Sequence, residues 1–171
     1  YLDTGFEPGK IYHVVYTTNT VPVVGTGLLA VRDVASWLRT PSTLNPVVNG
    51  FQKVYGFGVS QTGRLLRQFV YLGLNQDENG KQVYDGLMPH VAGGRVGQFN
   101  HRFAQPSNQS MAGFGHVFPF SDDAIPDPFS RNIDGLLTRQ RSLGAVPKII
   151  YTNSSAEYWR GDGSLLHIEP G

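Results

Sequence analysis

Tyr55-Gly56-Phe57-Gly58-Val59-Ser60-Gln61-Thr62-Gly63-Arg64-Leu65-Leu66-Arg67-Gln68-Phe69-Val70-Tyr71-Leu72 changes its period at the serine. Before Ser60, residues 51–59 form an apolar and aromatic run bounded by glycines, which predicts a buried strand. After it, Leu65, Leu66, Phe69, Val70 and Leu72 recur at helical spacing up to Gly73, which predicts a helix over 63–72 with those side chains inward. A serine on so tight a strand-to-helix turn exposes its hydroxyl at the end of the sheet, and its neighbours must be small because the backbones pack closely. The helix start also brings backbone N–H groups, first that of Gln61, to where an oxyanion would form. Ser60 is therefore a candidate nucleophile and Gln61 a candidate oxyanion donor.

The turn departs from G-x-S-x-G, because Thr62 replaces the second glycine and Gly63 follows one place later. Other patterns overlap it. Gly58 and Gly63 have phosphate-loop spacing, but Arg64 replaces the lysine and Leu65 the hydroxyl that would hold magnesium. Gly56 and Gly58 open a dinucleotide fingerprint, yet Gln61 stands at its third glycine and no strand ending in an acid follows about 20 residues on. A third alternative is a glycine-rich turn whose serine only caps the helix.

Working outward, residues 11–18 (Ile-Tyr-His-Val-Val-Tyr-Thr-Thr) predict a strand from their β-branched and aromatic content. Leu28, Val31, Val34, Ala35 and Leu38 predict an amphipathic helix over 28–38. A short strand is expected around His90-Val91-Ala92, a helix over 133–143 closed by Gly144, and a last strand over 146–152. Between 93 and 128 lies a long Gly-, Asn-, Gln- and Pro-rich insertion. Strands alternating with helices predict an α/β domain with a mostly parallel sheet, whose ligands bind beyond the carboxyl ends of the strands.

A nucleophilic serine needs a base and an acid that orients it, and in α/β-hydrolases the order is Ser, acid, His. Glu157, expected on a loop beyond the 146–152 strand, is the candidate acid; a solvated loop carboxylate is the alternative. His167 follows in the right order but too soon, with no room for the intervening helix and strand, so the base is expected beyond Gly171. Arg95, His101 and Arg102 lie in a polar loop that suits substrate recognition, gripping a carboxylate or sugar hydroxyls, or merely satisfying loop carbonyls. Asp122, Asp123 and Asp127 are broken up by Pro126 and Pro128 and read as an ordinary acidic loop; His90 and His116 have no ligand-like spacing. No metal and no cofactor are implied.

Composition narrows the classes. Among 171 residues there is no cysteine, which excludes a disulfide framework and a cysteine nucleophile. A net charge of +1 gives no reason to invoke nucleic acid, and no apolar run approaches the ~20 residues of a membrane span. Neither compartment nor oligomeric state can be read. The chain opens on Tyr1 and closes on Glu169-Pro170-Gly171, so a single domain over 1–171 that is a piece of a longer protein is expected.

Four stretches taken together resemble a family of bacterial α/β-hydrolase domain proteins. They are Tyr55 to Arg64 as quoted above, Val91-Ala92-Gly93-Gly94, Phe99-Asn100-His101-Arg102-Phe103-Ala104-Gln105-Pro106, and residues 148–159. The serine turn, with its Ser-x-x-Gly form and following basic residue, is also similar to that of glucuronoyl esterases, in which a glutamate can be the triad acid. The resemblance implies the central part of an α/β-hydrolase fold, with Ser60 as nucleophile, Glu157 as acid and a histidine after one further strand. A small-molecule or carbohydrate ester is the implied substrate. A ligand-binding or interaction module on the same scaffold, using the 95–105 loop, is the alternative.

Overall fold

Residues 2–10, 12, 14–97, 99, 118–127, 130–159 and 162–167 are described by the structure, a computed structural model. Strand β1 (Tyr55–Val59) runs parallel to β2 (Gly86–His90), with Tyr55 opposite Gly86 and Val59 opposite His90. Parallel neighbours need a crossover, and α2 (Gln61–Tyr71) supplies it. Strand β5 (Lys148–Ile149) lies parallel on the far side of β2, giving the order β1-β2-β5, and a bridge from Thr152 to His90 carries the pairing to the strand ends. Helix α1 (Gly27–Arg39) precedes the sheet. Between β2 and β5 come the antiparallel ribbon of β3 (Ile125–Pro126) and β4 (Ile133–Asp134), then α3 (Thr138–Leu143).

The strand period of two sorts β1 into two faces. Gly56 and Gly58 face α2: a Cβ on Gly56 would lie 3.5 Å from Leu66 Cδ2, and one on Gly58 2.5 Å from the Thr62 carbonyl oxygen. Tyr55 and Phe57 face away and are 70% and 65% exposed. On the covered face, Leu28 of α1, Leu66, Phe69 and Val70 of α2, Leu87 of β2, and Leu136 and Leu137 ahead of α3 make one core. Helix α1 is tied down at its C-terminal end, where Arg39 donates to Asp85 Oδ2 (2.6 Å) and the Val83 carbonyl (2.9 Å), and Asn45 Nδ2 donates to the Trp37 and Thr40 carbonyls. No helix among the described residues is long and apolar enough to cross a membrane.

Several expectations shift. The described residues of 11–18 form no strand, and Val14 and Val15 are 77% and 94% exposed. Strand β2 ends at His90 instead of beginning around it. Ile133 pairs as a strand with Pro126, and the helix waits until Thr138 because Gly135 is pressed against the backbone of Asp123 and Ala124. Along α2, Leu72 is 40% exposed while Arg67 is 2% exposed. The cause is a second surface: Arg67 Nη2 donates to the Phe120 carbonyl at 2.9 Å, and its guanidinium lies 5.4 Å over the ring of Tyr151, whose hydroxyl donates to Asp122 Oδ1.

Candidate active site

The passage from β1 into α2 takes one residue. Ser60 has φ 54° and ψ −113°, a conformation that L side chains rarely adopt, and α2 starts at Gln61. Helix α2 thus begins two residues before its expected start. Ser60 N–H donates to the His90 carbonyl (2.8 Å), which locks the turn to the end of β2. Such backbone strain costs on the order of 1–3 kcal/mol and persists only where surrounding structure imposes it. Here the surroundings are two glycines. A Cβ on Gly58 would sit 2.5 Å from the Thr62 carbonyl oxygen, and one on Gly63 would sit 3.0 Å from both Ala92 Cβ and the Gly58 carbonyl oxygen.

Thr62 explains the irregular spacing. Its Oγ1 accepts from Val59 N–H and donates to the Val59 carbonyl, both at 2.8 Å, so the side chain folds back on the turn from the exposed side. The close contact that needs glycine falls one place later, at Gly63. Both glycines serve strand–helix approach, and no open loop remains to wrap a phosphate. Helix capping fails as well: Ser60 occupies the N-cap position of α2, but its side chain makes no capping bond and the residue is exposed. Gln61, as first residue of the helix, carries one of the leading N–H groups that lack a helical carbonyl partner.

Glu157 follows β5 and the Thr152 bridge. It therefore lies beyond the same carboxyl end of the sheet as Ser60. It sits in a short helix, α4 (Ser155–Trp159), not on the expected loop. Ser154 Oγ and Ser154 N–H both donate to Glu157 Oε2, the latter at 3.3 Å. The hydroxyl bond, chiefly, holds the Glu157 carboxyl below its usual range, with a smaller contribution from nearby His90. His90 itself gives Nδ1 to a 2.8 Å hydrogen bond with Thr152 Oγ1, and its ring stacks on Phe57.

Arg95 also lies beyond the strand ends, after Val91, Ala92 and two glycines. Its Nε is 3.3 Å from Asp162 Oδ2, and its side chain is 41% exposed. Gly93, at φ +64°, makes room for that carboxylate, since a Cβ there would meet Asp162 Oδ1 at 2.3 Å. Arg64, one turn into α2, is near enough to Asp162 for the carboxylate to raise its pKa, though burial outweighs this and lowers it. His101 and Arg102 lie outside the described residues, as does the side chain of His167. The three aspartates go to separate partners: Asp122 accepts from Tyr151, Asp123 pairs with Arg141 and Asp127 accepts from Ser130.

The sheet end therefore joins a strained, uncapped serine, a helix N-terminus and a carboxylate with a dedicated donor. A family model described as "Alpha/beta hydrolase domain" matches residues 4–161. The chain belongs to the alpha/beta-hydrolase domain family. No curated protein and no solved structure matches this hydrolase domain. Two features of the hydrolase domain escaped the sequence reading: the role of Thr62 in place of glycine, and that of Ser154. The second had a signal, because Ser154-Ser155-Ala156-Glu157 is a capping-box pattern.

Proposed function

We propose that this hydrolase domain belongs to a serine esterase acting on a carboxylic ester. The observation that carries the reading is the Ser60 backbone, strained at φ 54° and ψ −113° with no capping bond to account for the serine. In this mechanism Ser60 Oγ attacks the ester carbonyl, and the Gln61 N–H at the start of α2 receives the developing oxyanion. A histidine oriented by Glu157 takes the proton from Ser60 and returns it to the leaving alcohol. Water then releases the acyl group. That histidine is expected after a further strand, as the family resemblance implies; among the described side chains, His90 already engages Thr152 and Phe57. Arg95 on the same sheet end, with the 95–105 loop, favours a hydroxylated or carboxylated ester over a long lipid chain.

A fluorophosphonate probe applied to the protein carrying this chain tests the assignment. Covalent labelling is expected on Ser60 and is abolished in Ser60→Ala. Labelling that survives Ser60→Ala removes Ser60 from the chemistry and leaves the scaffold as a binding module.

A further inference from the structure

Helix α4 opens on Ser154-Ser155-Ala156-Glu157. In an ordinary capping box the serine hydroxyl accepts from the backbone N–H of the third helical residue, and the glutamate reaches back to the serine N–H. Here only half of that arrangement is kept. Glu157 Oε2 accepts from Ser154 N–H, but the Ser154 hydroxyl donates to the same Oε2. Two donors from Ser154 converge on Oε2, the Glu157 backbone N–H also favours the charged carboxyl, and no other described residue donates to Oε1. Gly163 packs against the Glu157 backbone, where a Cβ would lie 2.9 Å from the Glu157 carbonyl oxygen. A carboxylate restrained at one oxygen leaves its second oxygen able to accept another bond, which is what a triad acid must offer the base.

We infer that Ser154 is a positioning residue that orients Glu157 by Oε2 so that Oε1 takes the N–H of the base. The inference rests on the assignment of Ser60 and Glu157 above. It differs from a purely capping role in what it tolerates. Aspartate is as good an N-cap as serine, but it removes the hydroxyl donor and sets a like charge against Oε2. Threonine keeps the hydroxyl. Glycine removes it at little cost to the cap.

The test is steady-state hydrolysis of p-nitrophenyl acetate by the active protein, with Ser154→Asp, Ser154→Gly and Ser154→Thr compared alongside Glu157→Ala and Ser60→Ala. Loss of orientation is expected to lower kcat about tenfold or more in Ser154→Asp and Ser154→Gly with KM unchanged, and Ser154→Thr recovers most of it. A carboxyl carbon NMR titration gives a readout independent of turnover: the Glu157 midpoint rises in Ser154→Asp and Ser154→Gly and stays low in Ser154→Thr. If Glu157→Ala lowers kcat but Ser154→Asp and Ser154→Gly do not, Ser154 is only a cap and the inference fails while the mechanism stands. If Ser60→Ala is inactive and Glu157→Ala is not, the acid assignment falls and takes the role of Ser154 with it.

Discussion

Gly58 and Gly63 are needed for different reasons than a motif alone conveys. Neither has a positive φ, so glycine is required there by space and not by dihedral freedom. A methyl group on Gly58 would meet backbone, which cannot swing aside, and Gly58→Ala is expected to destabilise the domain by about 1–3 kcal/mol in urea denaturation. The strand-to-helix turn at Ser60 was legible in the sequence because its two signals, the change of period and the small residues, are local. Thr62 was not, since a hydroxyl that folds back on Val59 looks in the sequence like a failed match. Glu157 was put forward as the acid from its place after a strand. Its donor Ser154 was legible only as a helix-start pattern, and which acceptor its hydroxyl chooses depends on a rotamer that no sequence pattern specifies.

At the level of elements, α1, β1 and α2 were readable because their periodicity survives burial, whereas residues 11–18 carry strand propensity without a neighbouring strand to pair with among the described residues. Ile133 failed as a helix start for a tertiary reason, the contact of Gly135 with the 123–124 backbone. The tie between α1 and the approach to β2 has a pH signature. Asp85, 18% exposed, accepts from Arg39, Lys53 and the Val54 N–H. Burial alone would raise its pKa, but these bonds outweigh it and bring the carboxyl from 3.8 down to about 2. A depressed folded-state pKa stabilises the fold fully above the unfolded value and is lost as pH falls through the folded one. A contribution of about 1–2 kcal/mol, after allowance for solvent screening, should therefore disappear between roughly pH 4 and pH 2. Thermal unfolding of Asp85→Asn, which lacks the charge, should show a smaller drop in stability across that window than the parent.

Over the whole molecule, the described residues cover the sheet unequally. Parallel sheets are ordinarily buried on both faces. Here α1, α2 and the α3 region cover one, while Tyr55, Phe57 and Ile150 leave the other 58–70% exposed at those positions around a groove of about 380 Å³. An apolar face of that kind binds dyes and promotes association. The 171-residue chain is expected to enhance anilinonaphthalene sulfonate fluorescence and to scatter light increasingly with concentration. Phe57→Ser combined with Ile150→Ser should reduce both without changing the melting temperature by more than a few degrees, since neither side chain enters the core.

The backbone at position 60 has a further consequence for how such a chain changes over time. Glycine accepts φ 54° and ψ −113° without steric penalty, and serine does not. Selection for folding alone would therefore drift this position to glycine, so under the proposed mechanism the serine is maintained only by its chemistry. A related domain that keeps the counterparts of Gly58 and Gly63 but carries glycine at 60 would mark a lineage that has retired from hydrolysis and kept the scaffold.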